Sequence, residues 1–279
     1  ILGVMPAYLE KSNVLGAKLV SIFPGNASLD LPTHLAVIVM FEPRTGAPVG
    51  IMDANYITAA RTAAGSALAT RALSRADSQV LTVIGSGVQG KAHLHAIPRV
   101  RPIREIRIAG RNRDNVEDLV ANLPLDLKDM TLICSSYEEA VAGADVVCAT
   151  THSPEPVVYW DWLKAGAHIN SVGLNHEGRE VDPEIVRKAL LIVESRMSAL
   201  APAPAGANDI TSLIRDGLID ESRVHAEIGE ILGGMSSARD SEDQITLYKS
   251  VGVAVQDAAA GNLVLTAARE SNIGTEIDL

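Results

Sequence analysis

The sequence contains only two cysteines, Cys134 and Cys148, and their spacing matches neither a zinc site nor a redox pair. Both fall in segments that we expect to be buried strands, so we interpret them as free thiols. This sparing use of cysteine, without a disulfide framework, favours a reducing, cytoplasmic compartment.

Long hydrophobic runs and an excess of basic charge are also missing. The longest charge-free apolar run in the strand regions, Leu35–Phe41, is far short of the roughly 18 residues of a membrane-spanning helix. The net charge of −10 argues against a nucleic-acid or anionic-membrane surface. No signal-peptide pattern, internal repeat or metal-ligand spacing is visible. We therefore expect a small-molecule partner, and no nucleic acid, membrane or metal.

What is present is an ordinary globular composition. The 279 residues are 47% hydrophobic and 21% charged, which is enough for a large core and two domains. The chain starts at Ile1, in mid-pattern and without an initiator methionine, so we expect an upstream segment to be missing.

A glycine-rich turn follows a strand pattern. The apolar and β-branched run Val80–Ile84 is typical of a strand buried on both faces, and Gly85–Gly90 then has the pattern G-x-G-x-x-G before a short helix. In that pattern Gly85 permits the tight turn, Gly87 lets the backbone approach a pyrophosphate, and Gly90 lets the helix pack closely. This context predicts dinucleotide binding.

After this turn, strand and helix patterns alternate. Further strands are predicted over Glu105–Ala109, Thr131–Cys134, Asp145–Thr150, Ala167–Val172 and Leu190–Val193. The alternation predicts an α/β protein with a Rossmann-type doubly wound parallel sheet, whose ligands bind at the carboxyl ends of the strands. Thr150, Thr151 and Asn175 follow such ends and are candidate site residues.

The N-terminal part has a different pattern. Lys18–Phe23 and His34–Phe41 are predicted strands, separated by turn residues, and they indicate an antiparallel sheet with its own core. The segment Ile57–Ser74 is predicted to be a long helix. Since the parallel sheet is expected to end at Leu190–Val193, we expect the apolar helix Val251–Arg269 to return to the N-terminal domain.

The residues after the second strand of the parallel sheet indicate the cofactor. A fold that prefers NAD usually has an acidic residue there, to bind the ribose 2′-hydroxyl group. This chain instead has Gly110, Arg111, Asn112 and Arg113, and guanidinium groups can bind a 2′-phosphate in bidentate fashion. We therefore predict NADP(H), with NAD(H) as the alternative; Arg113 is the arginine that we more readily interpret as a solvated loop residue.

Several further motifs accompany the glycine turn. They are Leu15–Val20, Arg61–Ala64, Ser171–Gly173, Gly178–Pro183, His225–Glu230 and Gly274–Leu279. Taken together, from one end of the chain to the other, they resemble the ornithine cyclodeaminase/μ-crystallin family. That family includes NAD(P)-dependent cyclodeaminases, ketimine reductases and some alanine dehydrogenases.

The resemblance implies a domain plan and a homodimer. The implied substrate-binding and dimerisation domain, an α+β domain completed by the C-terminal helix, comprises residues 1–62 and 246–279. The implied NAD(P)-binding Rossmann domain comprises residues 63–245.

The resemblance also implies roles for individual residues. Lys18 matches the lysine that holds the substrate carboxylate, and Arg61 matches the arginine that contacts both carboxylate and cofactor. Without the resemblance we would interpret both as surface residues. The implied cofactor contacts, besides Arg61 and the three glycines, are Thr33, Val88, Gln89, Gly110, Arg111, Asn112, Thr150, Thr151 and Val251.

Two departures from the family pattern bear on the reaction. Asn175 stands where the cyclodeaminases and alanine dehydrogenases have a general acid/base aspartate, and an amide cannot transfer a proton in that way. It can still hydrogen-bond an imine nitrogen or a water molecule; the neighbouring His176 is interpreted as a surface histidine rather than a substitute base. The family's upstream substrate arginine has no match, because the chain starts too late.

The sequence therefore favours NAD(P)H-dependent reduction of a cyclic ketimine carboxylate, Δ1-pyrroline-2-carboxylate or Δ1-piperideine-2-carboxylate, to the cyclic amino acid. Lys18, Arg61 and Asn175 are the predicted catalytic residues. One alternative is ornithine cyclodeaminase or an amino-acid dehydrogenase. Another is a non-catalytic NADPH-dependent binding protein, although a binder of apolar ligands has little need of two cations.

Overall fold

A computed structural model describes residues 1–29 and 31–277, without the side chain of Ala27. The chain divides into two compact units, one of Ile1–Arg61 with Val253–Leu279 and one of Thr62–Gly252. Asp278 and Leu279, the end of one motif of the resemblance, lie outside the described residues.

The first unit contains a four-stranded antiparallel sheet whose strands follow chain order. They are β1 (Leu2–Leu9), β2 (Val14–Ile22), β3 (His34–Phe41) and β4 (Pro48–Asp53). A 3-10 turn, Pro24–Leu29, lies between β2 and β3. Alternate residues of each strand face opposite sides of the sheet, so one face packs on a core around Ile38 and Met40.

The long helix α1 (Asn55–Leu73) runs from the first unit into the second. Its many alanines have the highest intrinsic helix propensity. In the second unit, the Arg101 guanidinium donates to the carbonyl oxygens of Thr70, Arg71 and Ser74, at 2.8–3.0 Å. Arg101 thereby adds hydrogen bonds to carbonyl groups at the end of the helix, where the last carbonyl groups of a helix need partners from outside it.

The second unit contains an eight-stranded parallel sheet. Its strands are β5 (Val80–Ile84), β6 (Glu105–Ala109), β7 (Thr131–Ile133), β8 (Val146–Ala149), β9 (His168–Ser171), β10 (Leu190–Val193), β11 (Ala226–Glu227) and β12 (Thr246–Lys249). The order across the sheet is β11-β10-β12-β9-β8-β5-β6-β7. The predicted α/β class with a Rossmann-type sheet is confirmed.

Helices cover both faces of this sheet. They are α2 (Val88–Ala96), α3 (Arg113–Ala121), α4 (Leu125–Lys128), α5 (Tyr137–Val141), α6 (Pro183–Lys188), α7 (Arg196–Ala199), α8 (Asn208–Arg215) and α9 (Ile228–Leu232). Short 3-10 turns occupy Ile97–Arg99, Trp160–Trp162 and Glu221–Arg223. Neighbouring strand residues such as Val83 and Ile84 belong to two separate apolar clusters, one on each side.

The last helix, α10 (Ala254–Glu270), belongs to the first unit and packs on β1, β2 and β3. Val251, expected inside this helix, instead lies in the loop that precedes it.

Two expectations about the second unit are wrong. Thr246–Lys249 was assigned to the N-terminal domain, but it forms β12, which lies between β9 and β10 and is buried along its whole length. The boundary therefore falls at Gly252 and Val253 rather than at residue 246. The sequence pattern over Val224–Leu232 predicts one helix, but the segment holds the short strand β11 and then α9.

Cys134 lies just past the end of β7 and is only half-buried, so its assignment to a buried strand is also wrong. Cys148 is buried within β8, where burial raises the pKa of its thiol to about 12. An inert thiol is expected at such a site.

Candidate functional site

The glycine turn between β5 and α2 has the geometry that its pattern predicts. Gly85 has a φ of +107°, and a Cβ atom there would lie 2.9 Å from the Thr150 carbonyl oxygen. A Cβ atom at Gly90 would lie 2.1 Å from the Gly85 carbonyl oxygen, so the helix packs directly on the turn. At Gly87 a Cβ atom would meet no other described atom within 4 Å. A ligand can therefore approach the backbone at Gly87, next to the positive end of the helix.

Val88 and Gln89 form the first turn of α2. The Val88 side chain is 70% exposed, and with Ser86 and Lys91 it lines an open groove of about 700 Å³. Within the described part of the chain, the Gln89 Oε1 atom is buried without a hydrogen-bond partner. Both residues thus flank a helix N-terminus that has no side-chain cap.

His93 anchors α2 to α1. Its Nδ1 atom lies 2.7 Å from the Gln89 carbonyl oxygen, and its Nε2 atom lies 2.8 Å from the Ser66 hydroxyl oxygen. Because a carbonyl oxygen only accepts, Nδ1 carries the proton and Nε2 accepts from Ser66. Burial lowers the pKa of His93 to about 4, so the ring is neutral at pH 7.

The loop after β6 presents one arginine without a partner. Arg111 is exposed, and within the described residues it has neither a hydrogen bond nor an ion pair. The Asn112 side chain caps α3 by accepting from the Asn115 backbone N–H at 3.1 Å. Arg113 instead pairs with Glu117, Nε to Oε1 at 2.7 Å. Arg111 is therefore the guanidinium that is available to an anion at this strand end.

The two threonines after β8 have separate roles. The Thr150 hydroxyl group donates to the Ile84 carbonyl oxygen at 2.9 Å and so ties the end of β8 to the glycine turn. The Thr151 backbone N–H and hydroxyl group both donate to the Glu180 Oε1 atom, at 2.7 and 3.0 Å. Both donor groups of Thr151 are thus used in hydrogen bonds to Glu180. Thr150 lies directly beside Gly85.

Glu180 belongs to a buried charge network behind the strand ends. Its Oε2 atom accepts from the Ser171 hydroxyl group at 2.8 Å and from the Gly173 N–H at 2.7 Å. The Lys249 ammonium group pairs with Asp209 at 2.7 Å and donates to the Gly173 carbonyl oxygen at 2.6 Å. Burial raises the pKa of Glu180, and the nearby Lys249 opposes that shift. The network fixes the backbone that leads from β9 into the next loop.

Asn175 lies in that loop, and its amide group holds the loop together. Nδ2 donates to the His152 carbonyl oxygen at 3.2 Å, while Oδ1 accepts from the N–H groups of Glu177 and Gly178 at 2.9 and 3.0 Å. His176 is exposed. One of the two Nδ2 protons is left for another acceptor.

Glu194, at the end of β10, fixes the loop that contains Val251. Its carboxylate accepts from the Tyr248 and Ser250 hydroxyl groups at 3.1 and 2.9 Å. It also accepts from the backbone N–H groups of Val251 and Gly252, at 2.9 and 2.6 Å. A buried carboxylate thus sets the position of a predicted cofactor contact.

In the first unit, the two predicted substrate cations converge on one carboxylate. The Lys18 Nζ atom lies 2.8 Å from Asp257 Oδ2, and the Arg61 Nε atom lies 3.0 Å from Asp257 Oδ1. The side chains of Lys18, Arg61 and Asp257 are 3%, 8% and 1% exposed. Arg61 Nη1 also donates to Gln256 Oε1 at 3.1 Å, whereas Nη2 has no partner among the described residues. The prediction that both cations are surface residues, made without the resemblance, is wrong.

Thr33 lies in the loop before β3. Its hydroxyl group lies 3.1 Å from His34 Nδ1, and its carbonyl oxygen accepts from the Phe23 N–H at 2.9 Å. Neither contact distinguishes a cofactor ligand from a loop residue.

Sequence reasoning missed four buried charged residues: Glu194, Asp209, Lys249 and Asp257. Each lies inside or beside an apolar segment, for example Asp257 among the small residues of α10. A charged residue in an apolar segment is rarely buried without a partner. These positions could therefore have been identified from the sequence as members of buried ion pairs or hydrogen-bond networks.

Residues 1–29 and 31–277 contain neither a candidate metal site nor a candidate membrane-spanning helix. They form no group of three or more histidine, cysteine, aspartate or glutamate residues that could hold a metal ion. None of their helices is both long enough and apolar enough to cross a membrane.

The parallel sheet and its glycine turn place the protein in the class of Rossmann-type dinucleotide-binding folds. The family model of the ornithine cyclodeaminase/μ-crystallin family matches residues 1–272, and the chain belongs to that family.

Three relatives illustrate the membership. A ketimine reductase μ-crystallin of Mus musculus is 38% identical over 264 residues, which cover 94% of this chain and 79% of that protein. The structure of Thermococcus litoralis Δ(1)-pyrroline-2-carboxylate reductase in complex with NADH and L-proline is 38% identical, with a TM-score of 0.94 over 99% of this chain and 84% of that one. An archaeal alanine dehydrogenase dimer with bound NAD is 33% identical and has a TM-score of 0.92. The match covers 100% of this chain and 84% of that one.

Proposed function

We propose that the protein reduces a cyclic ketimine carboxylate, Δ1-pyrroline-2-carboxylate or Δ1-piperideine-2-carboxylate, to the cyclic amino acid. One observation carries the proposal: Lys18 and Arg61, two buried cations, meet at the carboxylate of Asp257. The relatives from Mus musculus and Thermococcus litoralis, a ketimine reductase and a pyrroline-carboxylate reductase, support the same reaction.

The proposed cofactor is NADP(H), with NAD(H) as the alternative. The open approach to Gly87 beside the uncapped start of α2 fits a pyrophosphate, and the unpartnered Arg111 fits a 2′-phosphate. The solved relatives are complexes with NADH and NAD. They support a nicotinamide cofactor, whereas the preference for a 2′-phosphate rests on Arg111 alone.

When bound, the nicotinamide cofactor supplies a hydride to the imine carbon. Lys18 and Arg61 hold the substrate carboxylate by charge-assisted hydrogen bonds, which fix the position and orientation of the ring. The imine nitrogen is protonated before reduction, so the protein needs no carboxylate as a proton donor. We assign the second Nδ2 proton of Asn175 to a hydrogen bond with the imine nitrogen before it is protonated, or with a water molecule beside it, because the protonated nitrogen has no lone pair to accept it.

We also propose a homodimer. The sheet of the first unit has one face packed on α10, and on its other face Leu2, Val4, Val37 and Ile51 are 68%, 62%, 42% and 59% exposed. A contiguous apolar face of this kind is typical of a subunit interface. The archaeal alanine dehydrogenase relative is a dimer.

An amino-acid dehydrogenase is the second candidate, because that alanine dehydrogenase resembles this chain closely in fold. Asn175 argues against it and against ornithine cyclodeamination, since both use an aspartate at this position in the family pattern.

A matrix of substrates and cofactors tests the proposal. Pyrroline and piperideine carboxylates, pyruvate with ammonia, and ornithine are each combined with NAD(H) and NADP(H). We expect the fastest turnover for a cyclic imine with NADPH. Faster reaction of pyruvate with ammonia would instead identify an amino-acid dehydrogenase. Release of ammonia and proline from ornithine would identify an ornithine cyclodeaminase.

A further inference from the structure

The Asp257 carboxylate is the shared partner of the two proposed substrate cations. Lys18 approaches it from β2 and Arg61 from α1, each through a different carboxylate oxygen. All three side chains belong to the first unit and are more than nine-tenths buried. Two cations and one anion leave one net positive charge, which matches a single substrate carboxylate.

The neighbours of Lys18 on the sheet provide no other charge. Its register partners are Met5 on β1 and Ile38 on β3, both apolar. Asp257 on α10 pairs with Lys18 through Oδ2 and with Arg61 on α1 through Oδ1, so the two cations lie at the same carboxylate. Without the anion, two cations would share a buried site, and burial and like charge would both favour loss of the lysine proton.

We propose that Asp257 is a positioning residue: it holds the Lys18 ammonium and the Arg61 guanidinium side by side and keeps the lysine charged, so that the pair binds one monocarboxylate. This inference rests on the proposed function. Asp257 acts through the two cations and is not assigned a contact with the substrate.

Two substitutions separate charge from geometry. Asp257→Asn removes the negative charge at nearly constant shape, whereas Asp257→Glu keeps the charge and displaces the carboxylate by one methylene group. Asp145→Asn is the matched control, because Asp145 in the second unit also bridges an arginine and a lysine, Arg75 at 2.8 Å and Lys164 at 2.6 Å.

The probe is pyrrole-2-carboxylate, a planar ring carboxylate that cannot be reduced and whose ring nitrogen does not titrate near neutral pH. Its dissociation constant is measured with NADPH present between pH 7 and pH 9. For wild type and Asp145→Asn we expect a constant value. For Asp257→Asn we expect binding to weaken about tenfold across this range, as the lysine loses its proton.

Asp257→Glu is expected to weaken binding by a similar factor at every pH, and it carries the test if Asp257→Asn does not fold. NADPH binding, followed by cofactor fluorescence, reports on the second unit of each variant. Unchanged, pH-independent binding in both variants would overturn the role of Asp257 and leave the proposed function intact. A wild type that binds NADPH but neither binds the probe nor reduces an imine would overturn both.

Discussion

Lys18 occupies a core-facing position of β2, where an unpaired ammonium group would be strongly unfavourable. Replacing it with methionine keeps the length of the side chain and removes the charge. We expect kcat/KM for Δ1-pyrroline-2-carboxylate to fall about 10- to 100-fold, the equivalent of one charge-assisted hydrogen bond, with the KM for NADPH unchanged. Steady-state kinetics of Lys18→Met beside Lys164→Met, a lysine of the second unit, provide the comparison. Equal values for both variants would remove Lys18 from the substrate site.

Separate substitutions of Arg111 and Arg113 test the preference for NADPH over NADH. Arg111 has no partner among the described residues, whereas Arg113 is held by Glu117. We expect Arg111→Ser to raise the KM for NADPH about tenfold or more and to leave the KM for NADH nearly unchanged, because only NADPH has the 2′-phosphate. Arg113→Ser should change neither value. A larger effect of Arg113→Ser than of Arg111→Ser would show that Arg113, and not Arg111, binds the 2′-phosphate.

Site residues whose roles depend on local geometry could be predicted from the sequence, whereas those whose roles depend on distant partners could not. The roles of Gly85 and Gly90 follow from local geometry, since their chain neighbours alone determine the turn. The partnership of Lys18 with Asp257 joins positions 239 residues apart (257 − 18) and depends on which helix covers the sheet. No local pattern contains that information.

At the scale of elements, the attachment of α2 to α1 predicts sensitivity to acid. Burial lowers the pKa of His93 to about 4 and that of His168 to about 3, below the ordinary value of 6.5. Between pH 6.5 and pH 4 the unfolded chain therefore binds more protons than the folded one, so stability is full above pH 6.5 and falls as the pH decreases. From pH 7 to pH 5 each histidine should lower the free energy of unfolding by about 2 kcal/mol.

Urea denaturation of wild type and His93→Gln at several pH values measures this effect. The variant lacks one of the two titrating groups, so its stability should depend less steeply on pH between 6.5 and 4. Parallel pH dependences for the two proteins would contradict the assignment of the acid sensitivity to His93.

The strands themselves were largely predictable, whereas their order was not. Val80–Ile84, Glu105–Ala109 and Leu190–Val193 have the predicted bounds, because apolar runs between turn residues define them locally. The sequence pattern also predicts a short strand over Ile245–Tyr248, within one residue of β12 at each end, but the expected domain plan places residues from 246 onward in the N-terminal domain. Its place between β9 and β10 depends on pairing with two strands that are distant in the sequence, which is not a local property.

At the scale of the whole molecule, the first unit has an apolar sheet face opposite α10. Val4 of β1 pairs with Leu19 of β2, which pairs with Val37 of β3, so these three side chains share that face. Val4 and Val37 are 62% and 42% exposed. Burial of this face against a second copy would remove apolar surface from water and stabilise a dimer.

A charge in the middle of the face should prevent that association. Wild type is expected to have about twice the chain mass of 29.4 kDa by light scattering during size-exclusion chromatography. Val4→Asp should elute as a monomer, because dimerisation would bury an unpaired carboxylate at a cost of several kcal/mol. The control is Leu125→Asp, which alters a leucine that is 76% exposed in the second unit and should leave the dimer intact. A monomeric wild type, or a dimeric Val4→Asp, would exclude this face as the interface.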